Sequence, residues 1–439
     1  MRYRPPAVLL AAAVLTGTFT GCGSKENDVV PVMNSNTEAT ATQTNDTTAA
    51  ESTDETTSAP ETTAEATTSA SEPPADLVLT CLDSVEVYSD ETIYSILTNK
   101  NVEILNGEDK VDTAETGAHT VTVKCSKDGA YFEKELAYNV TDSEAPVVLN
   151  SGNGAAHIVG TPFDLSNYVG FADNYDKAPT LTYSGDIDPD TLGSYPLTAT
   201  VCDSSGNSTS WDLTINVAET APPVVYDESG PTFDEFISQY GGESKRLGID
   251  VSTWQGDIDF SAVKNAGCEF VMIRVGYCYD EEEPTLDDHF AANLANAKSA
   301  GLDVGIYYYS ADNTPDKVKR HARWVAEQLG DTKLELPVAF DWEEFSKFQQ
   351  YGMSIHDLNE LYLQFADEMK KSGYDTILYS SKNFLNNFWT ESTKAAYPVW
   401  LAHFIDETDY TGEYAMWQMS SGGTIDGIAG KVDLDILYS

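Results

Sequence analysis

From Arg246 onward the hydrophobic residues fall into short runs, most of them followed by stretches whose apolar positions recur three and four residues apart. The runs Leu247–Val251, Phe270–Val275, Val304–Tyr309, Leu336–Trp342 and Thr376–Tyr379 read as strands, with helical patterns such as Val263–Ala266, His289–Ala300 and Val318–Leu329 after them. Three further runs, Val399–His403, Ala415–Met419 and Val432–Leu437, leave no room for long helices between them. The pattern predicts a parallel α/β barrel of irregular (β/α)5(β)3 type over 245–439, closed or nearly closed.

Before it the period changes to two, and the chain repeats itself. Asn139-Val140 through Ala145-Pro146-Val147-Val148 recurs as Asn216-Val217 through Pro222-Pro223-Val224-Val225. Upstream, the alternating run ending at Cys125 with Asp128-Gly129 matches the run ending at Cys202 with Gly206-Asn207. Two all-β domains follow, 77–143 and 144–222, with a linker at 223–244. The second copy, with Phe171-Ala172-Asp173-Asn174 and Asp203-Ser204-Ser205-Gly206-Asn207, resembles immunoglobulin-like or cadherin-like repeats of bacterial surface proteins, which implies β-sandwiches. Its Asp-Asn-Gly clusters read as turns, so no metal is expected there.

At the N-terminus, Arg2 and Arg4 precede an apolar run from Ala7 to Leu15, too short to span a bilayer. Residues 1–21 read as an export signal. Phe19-Thr20-Gly21-Cys22 resembles a bacterial lipobox, which implies acylation of Cys22 as the only membrane anchor. Residues 22–76 are rich in Thr, Ser, Ala and acid, with no aromatic between Phe19 and Tyr88, and read as a disordered acidic linker.

Composition then excludes partners. Against 71 acidic residues stand 25 basic ones, a net charge of −46 over 439 residues, which repels nucleic acid and anionic lipid surfaces. Of six cysteines, five remain after Cys22. Cys81 and Cys125 can bridge within the first repeat, where Ile158 would be the second repeat's counterpart of Cys81; Cys268 and Cys278 flank one strand and lie too far apart along it to pair.

In a barrel of this kind chemistry sits at the C-terminal ends of the strands, and acids are found there. Asp250 ends the first run, and Asp341 and Glu343 end the fourth. Residues two apart on a strand face the same way, roughly 6.6 Å apart, so both carboxyls of that pair enter one cleft. Asp433 starts the last run. Clustered acids suit glycosidic cleavage, because neighbouring carboxylates raise one pKa and supply a proton donor near neutral pH. Tyr307, Tyr308, Tyr309, Trp400 and Trp417 offer sugar-stacking surfaces, alternate members being core. No His-Glu-x-x-His, Cys-x-x-Cys, phosphate-binding glycine loop or Gly-x-Ser-x-Gly occurs, so no cofactor is expected.

The set Gly-Ile-Asp250-Val-Ser-x-Trp254-Gln255-Gly256, Gly305-Ile-Tyr-Tyr-Tyr-Ser310, Asp341-Trp-Glu343, Pro398-Val-Trp400-Leu-Ala402, Trp417-Gln418 and Gly430-Lys-Val-Asp433-Leu closely resembles glycoside hydrolase family 25, the lysozyme-type muramidases. The resemblance implies that Glu343 is the acid and later base. Asp341 would orient the substrate's N-acetyl group as internal nucleophile, with Asp250 and Asp433 completing the catalytic set; oxazolinium and covalent aspartyl intermediates both stay open. Tyr307, Tyr309, Tyr379, Trp400 and Gln418 would bind substrate, and the family more often has asparagine where Asp435 stands. A chitinase-type barrel would need further acids at Leu336 and Ala339, which are absent. The expected protein is an exported, lipid-anchored monomer facing the cell wall, whose partner is the peptidoglycan glycan strand; the competing reading is an inactive wall-binding lipoprotein.

Overall fold

The structure, a computed structural model, describes residues 71–221, 229–279 and 283–438. The export signal, Cys22 and most of the acidic linker lie outside these residues. No helix among the described residues is long and apolar enough to cross a membrane. Backbone contacts divide the chain into two compact units, one ending at Ser143 and one containing 144–439.

The sequence repeat reappears as a repeat of topology. Residues 77–143 hold a four-stranded sheet ordered Ser84–Glu86, Ala130–Thr141, Gly117–Lys127, Glu103–Ile104, the first strand parallel to its neighbour and the others antiparallel. Residues 144–222 build the same order from Ala156–Ile158, Ser208–Ala218, Gly193–Cys202 and Thr180–Ser184. Each adds a two-stranded antiparallel sheet, Leu79–Cys81 with Leu97–Lys100 and Val147–Asn150 with Gly170–Ala172. Matching topology corrects one equivalence: Ile158 occupies the place of Glu86, and the strand matching that of Cys81 is Val147–Asn150. Spacers of unequal length between the short strands shift the sequence alignment there. Cys81 and Cys125 are free thiols, Cys125 buried beneath its strand.

The barrel strands are β1 (Lys245–Val251), β2 (Phe270–Cys278), β3 (Asp303–Ser310), β4 (Val338–Trp342), β5 (Thr376–Ser381), β6 (Val399–Ala402), β7 (Met416–Gly423) and β8 (Val432–Tyr438). They run in the order β1-β8-β7-β6-β5-β4-β3-β2, and a β1–β2 pairing closes the barrel-like sheet. Neighbours from β1 through β2 to β7 are parallel, whereas β8 is antiparallel to both β7 and β1. The β7–β8 connection carries no crossover helix, and only a hairpin fits so short a link. This reversal has a chemical consequence: the start of β8 lies at the same mouth as the ends of the other strands, so Asp433 pairs directly with Asp250.

Helices α1 (Phe233–Tyr240), α2 (Phe260–Asn265), α3 (Phe290–Ser299), α4 (Pro315–Leu329) and α5 (Ile355–Lys371) pack on the outside. The first of these lies within the stretch read as a linker. It buries Phe233, Phe236 and Tyr240 in the barrel's outer core, with its N-terminus closed by a Thr232–Glu235 capping box, so this part of 223–244 belongs to the barrel. Thr314 caps α4 ahead of Pro315, and a Ser354–Asp357 box starts α5. The first N–H groups of α5 find acceptors in the second β-domain: Ile355 N–H donates to the Asp173 carbonyl at 2.7 Å and His356 N–H to that of Asn174 at 3.3 Å. With Ala172 inside the barrel's outer core and Lys177 paired to Asp357 at 2.9 Å, that domain is built onto the barrel.

Candidate active site

The inside of the barrel has two storeys. Below lies an apolar floor of Phe270, Met272, Ala339, Ile377 and Met416. Above it, at the mouth, the inward positions become polar. Cross-strand register sets Tyr309, Asp341, Tyr379 and Trp400 side by side on β3 to β6, and Gln418 beside Asp435 on β7 and β8. Asp250 on β1 faces Asp433 on β8.

All four predicted acids therefore meet at one mouth. Asp250, 4% exposed, accepts a 2.7 Å hydrogen bond from Gln418 Nε2, and Gln418 Oε1 in turn accepts from the Tyr379 hydroxyl at 2.8 Å. Burial pushes the Asp250 carboxyl up to about 6 despite that donor. Asp341 and Asp433 are also held well above the carboxylate range, by burial first and then by the charges of Glu343 and Asp250 on the one and of Asp250 on the other. Glu343, just beyond β4 and partly exposed, is pushed up to about 7 by desolvation and by the charges of Glu344 and Asp250. A carboxyl raised that far stays partly protonated near neutral pH, which is what a general acid needs. Asp341 Oδ1 has no hydrogen-bond partner among the described residues, so an acceptor stands open inside the cleft.

The aromatic residues divide by burial. Tyr308 is wholly buried and contacts His321, while Tyr307 and Tyr309 on either side of it face the interior. Tyr309 donates to Glu344 at 3.2 Å and packs against Tyr279. Trp400, expected to stack on sugar, is 1% exposed and meets Tyr379 edge-on at 4.7 Å. Its indole N–H donates instead to Asp435 at 2.8 Å, so it braces an acid. Trp417 is buried in the outer core, while Tyr379 and Gln418 form a hydrogen-bonded chain that ends on Asp250. Trp254, following Asp250 on the loop, is 55% exposed and offers an open indole face.

Sequence reasoning missed the site's cation. Arg274, buried on β2, pairs with Asp287 at 2.7 Å, and Asp287 also accepts from the backbone N–H groups of Thr253 and His289. The signal was present, a lone arginine inside an apolar run. Register places Arg274 beside Tyr307, and its charge favours ionisation of Asp250 and Asp341. Elsewhere Cys278, Asp312 and His321 hold donor atoms within 4.8 Å of one another, but Asp312 already faces His321 Nδ1 at 2.8 Å and Lys317 Nζ at 3.9 Å. Lys317 supplies a counter-charge to that acid.

Residues 249–428 match the family model described as Glycosyl hydrolases family 25. The chain is 30% identical over 189 residues to an autolytic lysozyme of Clostridium acetobutylicum, covering 43% of this chain and 54% of that protein. It is 31% identical over 198 residues to lysozyme M1 of Streptomyces globisporus, covering 42% of this chain and 65% of that protein. It thus spans between about half and two thirds of these relatives. A bacterial lysozyme structure from Streptomyces coelicolor aligns with a TM-score of 0.38 at 26% identity, over 45% of this chain and 94% of that one. The barrel therefore matches family 25 of the glycosyl hydrolases across a stretch that includes Asp250, Asp341 and Glu343.

Proposed function

We propose that this protein is a peptidoglycan hydrolase, a muramidase that cleaves the β-1,4 bond between N-acetylmuramic acid and N-acetylglucosamine. The observation that carries the reading is Glu343: a carboxyl at a strand end, raised to about 7, beside a second acid with an open acceptor oxygen. Protonated Glu343 gives its proton to the glycosidic oxygen as the bond to the sugar's C1 breaks. Asp341 accepts the N–H of the substrate acetamido group, whose carbonyl oxygen attacks C1 and forms an oxazolinium. Glu343, now ionised, takes a proton from the water that opens this ring, which returns the enzyme to its starting state with retained configuration. Asp250, with Asp433 beside it, supplies the negative field that favours the oxocarbenium-like charge.

The same reading assigns 77–143 and 144–222 to immunoglobulin-like sandwiches acting as spacers, and 245–439 to a (β/α)5(β)3 barrel. Export, acylation of Cys22 and a tether through 22–76 would present the barrel to the producer's own wall for remodelling; a released, bactericidal protein would overturn that role. The test of the activity is reducing-end release from purified peptidoglycan by the full-length protein and by Glu343→Gln, with mass spectrometry of the products. Products ending in reducing N-acetylmuramic acid, lost in the variant, support the proposal. Equal inactivity of both folded proteins on several wall types favours wall binding without hydrolysis.

A further inference from the structure

Of the acids on β1 and β8 at the mouth, Asp435 is the one that the catalytic scheme leaves without a task. It is 0% exposed, one turn of the pleat beyond Asp433 on β8, and Trp400 Nε1 donates to its Oδ1 at 2.8 Å. Its Oδ2 meets no hydrogen-bond donor among the described residues. The register of β8 on β1 makes Asp250 its diagonal neighbour on the same face, and Gln418, directly opposite Asp435, reaches across to Asp250 at 2.7 Å, so a second carboxyl lies beside it. Two ionised carboxylates buried side by side repel each other with little screening, and each also forfeits its hydration. One proton between them removes the repulsion and satisfies the orphaned oxygen.

We propose that Asp435 holds this proton and donates it to Asp250, which makes Asp435 a positioning residue that keeps Asp250 ionised and fixed within the acid cluster. The asymmetry of the surroundings decides which partner is neutral. Asp250 receives the Gln418 amide at 2.7 Å and feels the charge of Arg274, both of which favour its anion. Asp435 has only the neutral indole of Trp400, and burial with the neighbouring acids holds its carboxyl well above the ordinary range. The groups around the pair are Asp250 from β1, Asp433 from β8 itself, Gln418 from β7, Trp400 from β6 and, just before β2, Cys268. Arg274, Tyr307, Asp341, Tyr379 and Glu343 act on Asp250 and Asp433 from the other strands.

The proton is read directly by infrared spectroscopy of the full-length protein in heavy water at neutral pH, where protonated and ionised carboxyls absorb separately. Asp435→Asn replaces the O–H donor with an N–H donor of the same shape, and one protonated-carboxyl band is expected to disappear. Asp435→Glu is expected to move that band rather than delete it, which keeps the test decisive if the first variant folds poorly. An unchanged protonated-carboxyl region in a folded variant means Asp435 was ionised and overturns the proposal. The consequence for turnover rests on the muramidase reading: Asp435→Leu, which offers Asp250 no donor, loses at least tenfold in kcat/KM at every pH, whereas Asp435→Asn, which keeps a donor, loses clearly less. An equal loss in Asp435→Asn and Asp435→Leu also counts against the proposal. If wild type and variants hydrolyse nothing, the muramidase reading fails while the infrared result still decides the proton.

Discussion

Two buried polar pairs in the mouth of this barrel are built on opposite principles. Arg274 and Asp287 carry opposite charges, meet at 2.7 Å with 7% and 1% of their side chains exposed, and Asp287 is saturated by further backbone donors. Asp250 and Asp435 are alike in charge, equally buried, and leave an oxygen unsatisfied. The first pair is electrically complete and holds the β1 loop to β2. The second is incomplete until protons are counted, and that need for protons links it to Asp341, Glu343 and Asp433. The contrast teaches that burial of charge alone does not mark a reactive site; burial of charge without its counter-charge does.

The largest expected break is chemical. Glu343→Gln removes a cleft acid partly exposed to substrate and should lower turnover by roughly 10²–10⁴-fold, the usual worth of a general acid, in reducing-end assays of a protein with unchanged circular dichroism. The largest structural break is in the complete pair. Asp287→Ala strands the Arg274 charge and should cost about 3–5 kcal/mol in denaturant unfolding, whereas removing both charges together with Arg274→Met and Asp287→Leu should recover most of that loss.

The incomplete pair responds to pH with a definite sign. Because folding raises the Asp435 carboxyl, its burial penalty is absent below the unfolded value of about 3.9 and builds as pH climbs toward the folded value. Asp435→Asn should therefore raise Tm, with a gap over wild type that widens as pH rises above that point; a constant gap would refute the assignment. The smallest effect is expected at the domain contact. Lys177→Ala deletes an ion pair with Asp357 that is half exposed on the lysine side and should cost less than about 1 kcal/mol, since the backbone bonds to Ile355 and His356 remain.

Much of this was legible in the chain. Strand positions followed from apolar runs bounded by turns, and Asp341 with Glu343 stood out because two acids at the end of such a run are costly to bury. The fate of Trp400 was not legible: β6 is buried on both faces, so an alternating pattern that separates inward from outward residues is missing. Arg274 hides for a related reason, because its partner Asp287 lies across a connection whose path no local pattern reveals. The reversed direction of β8 needs knowledge of the closed sheet, although the short β7–β8 link hinted at it. Helix α1 carried a readable Thr-x-x-Glu box at Thr232–Glu235 but was too brief to stand out within a polar stretch.

The central claim is that burial and like charge raise the Glu343 carboxyl far enough to leave it partly protonated near neutral pH. Its most direct test is the pH dependence of kcat/KM for glycan-strand cleavage by the full-length protein. The account predicts a loss of activity as pH rises through about 7, with the same limb absent from whatever residual rate Glu343→Gln retains. A rate that already collapses between pH values of about 4 and 5, where an unperturbed glutamic acid ionises, would contradict it.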